Sequence, residues 1–380
     1  MYLGVLVFFF ALRAGNRLSP EERYFFLDKC CIHQTDVAKM HDGIAGLGRL
    51  ILSSKRLAIF WDRSYFTRLW CVYELAIFLG SGSHTAADVD FAPLFVPKIV
   101  LAIFFQAVLL YLALDIFSGL GINDMLRSQF PEHDPEATFV VFYMLIHLLT
   151  SGVLMQQLVE FQVDRAEMWQ QLKRFSVEDA QLTDESDRPI IYADIEKKWA
   201  DEDGKNALRN FNVYVRSIVA KEVLTVVGAS SSVPYTSLLL AFLPHAWRGI
   251  DTALGPEPPG RRLHGLLFMG TAACLAYPLL FSVPLRFAHW LATLRRPALR
   301  QLLMLVGAIV TGVSIPLVIV LWAVVFFFGI PGSSKAYDDS VLGSACLALT
   351  LLVTALAVRS VYTERSGSLR SASSSKIKSD

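Results

Sequence analysis

Six apolar stretches, each about 20 residues long, constrain this chain more than any other feature of its sequence. A helix of about 20 residues crosses the hydrocarbon core of a bilayer, so each stretch is long enough to span it. Composition agrees, because 54% of the residues are hydrophobic, only 18% are charged and the mean hydropathy is +0.45. We therefore expect an all-α multi-pass transmembrane region, with spans near residues 98–117, 138–158, 223–243, 263–285, 301–328 and 341–362.

The third stretch is the least regular of the six, since it contains serines at 230–232 followed by Pro234 and Tyr235. A buried amphipathic helix is the alternative interpretation. The positive-inside rule favours a span. With six spans, the four basic residues of 286–300 and the ten of 165–221 all lie in the cytosol. Both termini are then predicted to be cytosolic.

The charge pattern also bears on function. Charged residues are absent from the central turns of the spans, where His147 is the lone ionisable group. Ion-coupled carriers and pumps place Asp, Glu or Lys at membrane depth, so a channel or carrier is the weaker alternative. A net charge of +1 does not favour a nucleic-acid partner. The five cysteines include no Cys-x-x-Cys pair, which is typical of reduced cytosol and membrane.

The N-terminal 96 residues have a different pattern from the spans. The apolar run at 2–12 is too short to cross a bilayer and predicts a buried strand. Alternating strands and helices are typical of a parallel α/β sheet. The first helix of such a domain is missing or truncated here, so we expect an abbreviated one. The predicted order is strand 24–27, loop 28–42, helix 43–53, strand 57–61, helix 65–80 and strand 88–96.

Helical spacing predicts which side chains of this domain are buried. Trp70 is expected between the second helix and the sheet. The expected core stripes are Leu47, Leu50 and Ile51 in the first helix, and Leu69, Val72, Leu75, Ala76 and Leu79 in the second.

Two motifs of this domain resemble known families. Phe26-Leu27-Asp28-Lys29 and the helical Trp70-Cys71-Val72-Tyr73-Glu74-Leu75 resemble the TIR domain of innate-immunity and cell-death proteins. Cys31-Ile32-His33-Gln34, after Asp28, is similar to the Asp-x-x-Cys-Ile-x-Gln loop of the HET domain. The resemblance implies an abbreviated TIR-like domain with a flavodoxin-like parallel sheet. Asp28, Trp70, Cys71 and Leu75 are its structural motif residues.

Glu74 is the catalytic residue that the TIR resemblance implies. In TIR domains that cleave NAD, a glutamate in the matching helix is catalytic, so NAD is a possible substrate and no cofactor is expected. A carboxylate in a partly buried cleft can stabilise the positive charge that develops on ribose as nicotinamide leaves. The alternative role for Glu74 is an ion pair with Arg68 or Arg63. Protein association without turnover is the leading hypothesis, and a membrane-tethered NAD+ hydrolase is the alternative.

The first loop carries the residues expected to mediate association with a second copy or with other TIR-like domains. These are Cys31, His33, Gln34 and Asp36. Cys30, Cys31, His33, Asp36 and His41 also suggest a metal site, but no pair has a recognised zinc spacing, so no metal is predicted.

The remaining segments complete the predicted organisation. Helices in the loop after the second span either pack on the N-terminal domain or extend the spans out of the membrane. The basic, Ser-rich tail is predicted to be disordered. The predicted parts are the TIR-like domain 1–96, spans 97–158, the cytosolic helical loop 159–222, spans 223–362 and the tail 363–380.

Overall fold

The structure, a computed structural model, describes residues 24–33, 35–129, 135–227, 233–255 and 277–328. The chain divides into two units. The described parts of 24–96 and 164–227 form one, called the head unit here. The described parts of 97–163 and 233–328 form the other, called the helical unit. Most of the described residues are helical.

Two parallel strands form the sheet of the head unit. Strand β1 is Leu57–Trp61 and strand β2 is Val89–Pro93, paired in register from Leu57 opposite Val89 to Trp61 opposite Pro93. Parallel neighbours need a crossover, and helix α3, Leu69–Leu79, supplies it after a 3-10 turn at Tyr65–Thr67. Strand β1 has its predicted bounds, whereas β2 is shorter than predicted because a helix begins at Phe95.

The strand expected at 24–27 is wrong. These residues have no regular structure, and Tyr24 and Phe25 are 88% and 81% exposed. Within the described residues the sheet has two strands, so 24–27 has no ladder there to join. The carbonyl of Leu27 instead accepts hydrogen bonds from the backbone N–H groups of Cys30 and Cys31, which start helix α1, Asp28–Cys31.

Helix α2 begins earlier than predicted and covers Val37–Ser53. Its N-cap is Asp36, whose side chain accepts a hydrogen bond from the backbone N–H of Lys39 at 3.2 Å. The predicted loop therefore contains one short helix and the first turns of another, because the polar side chain starts a helix there. Leu47 and Ile51 are buried as expected, but Leu50 is exposed.

Helix α3 is the centre of the head unit. Its expected core residues Leu69, Val72, Leu75, Ala76 and Leu79 are all buried. The other faces are covered too, since Tyr73, Ile77 and Phe78 are also buried.

The segment after residue 163 supplies part of that cover. Helix α7, Arg188–Trp199, packs against α3: the Tyr73 hydroxyl donates to Asp194 Oδ2 at 3.3 Å, and the Trp199 indole N–H donates to the Ala76 carbonyl at 2.9 Å. A methyl group on Gly80 would lie 2.7 Å from Trp199 Nε1, so only glycine fits at the end of α3. Both arrangements considered from the sequence occur in the described residues: α7 packs on α3, whereas residues 159–173 continue the helix Pro135–Lys173 of the second predicted span.

The head unit is completed by helices that follow α7. Helix α8, Ala207–Tyr214, continues through a π-helical turn at Val215–Val219 into α9, Ala220–Val227. The Phe211 ring of α8 contacts Trp199 and Phe175, with centroid separations of 5.1 and 5.5 Å. This aromatic cluster joins the helices around α3.

The helical unit contains long apolar helices. Two helical segments are long and apolar enough to cross a membrane, Phe95–Gly119 and Val141–Lys173, and they coincide with the spans predicted at 98–117 and 138–158. The described helices of this unit are α4 Phe95–Gly119, α5 Ile122–Gln129, α6 Pro135–Lys173, α10 Tyr235–Ala241, α11 Leu243–Leu254, α12 Tyr277–Ala292 and α13 Pro297–Phe328. The start of α4 and the end of α6 belong to the head unit.

The span predicted at 223–243 is not one continuous helix. Helix α9 ends at Val227 and α10 begins at Tyr235. Pro234, the N-cap of α10, has no N–H to continue a helix through this point. The span at 301–328 falls within α13, of which Pro297–Val313 is an apolar helical stretch. The predictions at 2–12, 341–362 and 363–380 and most of that at 263–285 lie outside the described residues.

Candidate functional site

Glu74 lies on α3, one turn after the helix start, with its side chain partly buried. The pKa of Glu74 is raised to about 7, chiefly by burial and also by the negative charge of Asp28, while the positive charge of Arg68 acts in the opposite direction. Desolvation disfavours the charged carboxylate, which is why the shift is upward. At neutral pH both protonation states of Glu74 are populated, as a group that exchanges a proton during a reaction requires.

Two groups close to Glu74, the Cys71 thiol and the Tyr65 hydroxyl, have raised pKa values. Burial raises the pKa of the Cys71 thiol to about 11, so the thiol stays protonated and is a poor nucleophile. The buried Tyr65 hydroxyl donates to the Cys71 carbonyl at 3.3 Å, and burial holds the Tyr65 pKa well above its ordinary value. Of Glu74, Cys71 and Tyr65, only Glu74 has a pKa close to neutrality, and the charge of Asp28 acts on it.

Neither arginine considered as a structural partner forms an ion pair with Glu74 in the described part of the chain. Arg63 pairs with Asp164, and Arg68 Nη2 lies 3.8 Å from Asp62 Oδ1. Arg68 still acts on Glu74 through its charge.

Trp70 is only partly buried, so the expectation that it lies between α3 and the sheet is wrong. It is one residue away from Leu69, which is fully buried, and therefore points off the core stripe. Its ring packs edge-to-face on Tyr73 with centroids 5.5 Å apart.

Tyr73 is the contact that sequence reasoning missed. Burial, followed by the charge and hydrogen bond of Asp194, raises the pKa of Tyr73 to about 12. Asp194 is 121 residues away along the chain, and no local pattern links the two.

The expected association residues of the first loop are exposed or partly exposed where they are described. Cys30, Cys31 and His33 are exposed, Asp36 is partly buried, and Gln34 lies outside the described residues. His33 Nδ1 accepts a hydrogen bond from the Asp36 backbone N–H at 2.9 Å, which fixes the chain just before α2. Among the described residues, no three His, Cys, Asp or Glu side chains are grouped to hold a metal ion.

A groove with polar side chains lies elsewhere in the head unit. It has a volume of about 420 Å³, and none of its described lining residues belongs to that cluster. Its described lining is Asn206, Arg209, Asn210, Val213, Tyr214 and Ser217, all on or next to α8.

Comparisons with known proteins return no match: no family model, no curated protein and no solved structure is similar to this chain.

Proposed function

We propose that this chain is a multi-pass membrane protein with six spans and cytosolic termini, whose TIR-like head acts by associating with other proteins. The observation that carries the membrane part is the division of the chain into units. The head unit is assembled from residues before α4 and residues after most of α6. Two membrane crossings, by α4 and then by α6, place the segment after α6 on the same side of the membrane as the segment before α4. Both segments belong to the head unit, so they must lie on the same side.

Exposed apolar stripes support the same proposal. Large hydrophobic side chains spaced three or four residues apart occupy one face of a helix, and a soluble protein rarely leaves such a face uncovered. A bilayer covers it instead. The exposed stripes are Leu101, Phe105, Leu109, Leu112 and Ile116 on α4, Val141, Leu145, Leu149 and Val153 on α6, and Leu302, Leu305, Val306, Ile309, Val310 and Val313 on α13.

Topology is tested by labelling in sealed vesicles of known orientation. An impermeant thiol reagent is applied to a cysteine-free chain that carries a single cysteine at Asp124, after α4, or at Lys197, in α7. Labelling from the non-cytosolic side is expected for Asp124→Cys alone, and both positions should label once the vesicles are permeabilised. Labelling of Lys197→Cys in intact vesicles contradicts the proposed orientation.

The association proposal is supported by the order of elements around the Trp-Cys-x-x-Glu-Leu helix, which lies between two parallel strands. Its test is Asp36→Asn, which removes a charge from the first loop but keeps a favoured N-cap residue for α2. Sedimentation of the purified full chain should show weaker association than the parent, at an unchanged melting temperature. Asp203→Asn makes the same charge change at an exposed position of the head unit and is the matched control. Equal association of parent and Asp36→Asn contradicts this choice of surface.

NAD cleavage by Glu74 is the second candidate, and the partly buried position of this carboxyl on the motif helix is the observation that favours it. A carboxylate that opposes a developing oxocarbenium ion must be ionised, so the rate of nicotinamide release should rise with pH through about 7. Glu74→Gln removes the charge and should lower the rate by about two to three powers of ten.

The protein for this assay is the full chain in detergent, because α7 covers α3 and an isolated 1–96 fragment would lose that cover. The association hypothesis expects no turnover in the parent. Turnover that disappears in Glu74→Gln without any loss of thermal stability establishes the enzyme instead.

A further inference from the structure

A cavity of about 50 Å³ lies among four helices of the helical unit. The described residues around it come from α4, α6, α12 and α13, together with Phe242 between α10 and α11. The polar ones are Gln106, His147, Ser151, Tyr277 and Thr311.

His147 is the polar group of this cavity whose hydrogen bonding is incomplete. Its Nε2 atom is buried and has no hydrogen-bond partner among the described residues. The ring contacts Tyr143 edge-on, with centroids 4.7 Å apart, which fixes its position without satisfying Nε2. A buried polar atom without a partner costs about 1 to 3 kcal/mol, so native structures usually pair such atoms with protein groups or with ordered water.

Two polar neighbours are already engaged. Gln106 Nε2 donates to Thr150 Oγ1 at 2.9 Å, and Ser151 Oγ donates to the Leu148 carbonyl at 2.7 Å. Gly312 fixes the packing beside them, because a methyl group there would lie 2.7 Å from Ser151 Oγ. Because the packing around Ser151 and Gly312 is tight, a hydrogen-bond partner for His147 Nε2 would have to lie in the cavity.

The chemistry of the lining decides which occupant fits. None of the described lining residues is Asp, Glu, Lys or Arg, so an ion would find no opposite charge. The remaining walls are apolar, including Leu110, Leu154 and Phe281. The volume accommodates on the order of two or three water molecules. We propose that the cavity is a binding site for water or a water-sized neutral molecule, anchored by a hydrogen bond to His147 Nε2.

The test measures whether a thiol placed in the cavity meets water. A thiol reacts as the thiolate, which forms in water and not in hydrocarbon. In a cysteine-free full chain reconstituted into a lipid bilayer, Thr311→Cys faces the cavity, whereas Val310→Cys, 59% exposed on the same helix, faces outward. The reagent is methyl methanethiosulfonate, which is small and uncharged. Thr311→Cys should react on the order of ten times faster than Val310→Cys.

A second substitution connects this rate to His147. His147→Phe removes the anchor and fills the space with an apolar ring, so the rate at Thr311→Cys should fall about tenfold, to that of the outward position. His147→Gln keeps a hydrogen-bonding group and should preserve the fast rate, which controls for a folding defect. A slow rate at Thr311→Cys, or a fast rate that His147→Phe leaves unchanged, overturns the proposed site. Fast reaction at Val310→Cys would instead contradict the membrane assignment, so the two failures are distinguishable.

Discussion

Helices α3 and α4 are both strongly apolar, yet the structure uses them differently. Helix α3 has 11 residues, and eight of them are buried inside the head unit. Helix α4 has 25 residues and leaves one stripe exposed, with Phe105 at 53% and Ile116 at 53%. Hydrophobicity alone does not separate a core helix from a membrane helix. The length of the helix and the presence of an exposed apolar face separate the two classes.

The two helices also differ in what surrounds them. Protein covers most of α3, with helices α2 and α7 both in contact with it, so its buried side chains are held by specific packing. The outer stripe of α4 is exposed in the described part of the chain, and a fluid apolar solvent would cover it equally well. Substitutions on the two helices should therefore have different consequences.

The largest expected difference comes from matched phenylalanine truncations. Phe78→Ala on α3 removes a fully buried ring and should cost about 3 to 5 kcal/mol of unfolding free energy. Phe105→Ala on α4 removes a half-exposed ring and should cost less than about 1 kcal/mol. Urea unfolding of the full chain in mild detergent, followed by tryptophan fluorescence, measures both. Similar losses for the two variants would mean that α4 is covered by protein.

A charge on the outer stripe tests the membrane side of the comparison. Leu109→Arg places a guanidinium near the middle of α4, where insertion should become about 2.5 to 3.5 kcal/mol less favourable. Ser118→Arg makes the same change near the end of the helix, where the side chain can reach the interface at lower cost. Insertion efficiency in a microsomal glycosylation assay gives both values. If Leu109→Arg inserts as well as Ser118→Arg, α4 does not face lipid.

The buried acid on α3 makes the stability of the head unit depend on pH. Glu74 has its ordinary pKa of 4.5 when unfolded and about 7 when folded, so the folded state keeps a proton that the unfolded state has lost between these values. Unfolding free energy should therefore fall as pH rises from about 4.5 to 7, because the native state binds more protons.

Glu74→Gln should remove this loss and stabilise the head unit above pH 7 by up to about 3 kcal/mol, with little change below pH 4.5. Melting curves of parent and variant at pH 4, 6 and 8 provide the measurement, and Glu196→Gln, on the exposed side of α7, is the control. A parent that is more stable than the variant at pH 8 contradicts the direction of the pKa shift.

The smallest expected effect concerns the end of α3. Trp199→Phe keeps an aromatic ring but removes the indole hydrogen bond to the Ala76 carbonyl, at a cost of about 1 kcal/mol. The Gly80 N–H also donates to this carbonyl, at 2.9 Å, which limits the loss. Trp290→Phe, at an exposed position of α12, should change the unfolding free energy less. Hydrogen exchange of the Gly80 amide reports the local effect, and unchanged exchange argues against a role of Trp199 in fixing this helix end.

Local pattern was sufficient where neighbouring residues alone set the structure. Strand β1 and the core stripe of α3 follow from apolar periodicity, and α4 follows from the length of its apolar run. Pattern failed at 24–27, where an apolar run has no described strand beside it, and at the start of α2, where Asp36 caps a helix that was expected later. The pattern also placed Trp70 in the core, but the core position is occupied by the preceding residue, Leu69.

The candidate site also has features that the sequence predicts and features that only the fold creates. Glu74 was found from its position in a helical motif, and Arg68, the N-cap of that helix, was considered as its partner. The burial and the charge of Asp28 that raise its pKa were not found, because only the fold creates them. The role of Tyr73 depended on Asp194, which belongs to the second segment of the head unit. Long-range pairs of this kind leave no mark on the periodicity of either partner.

By itself, the sequence determined the strongly apolar character of the chain, the strand of Leu57–Trp61 and the buried face of α3, since each depends on the chemistry of residues close together in the chain. Only the tertiary structure decided that residues 24–96 and 164–227 form one unit, that Tyr73 rather than Trp70 contacts the second segment, and that His147 borders a cavity. The physical reason is distance along the chain. Burial and hydrogen bonding are satisfied by whichever groups the fold brings together, and here those groups are separated by more than 100 residues.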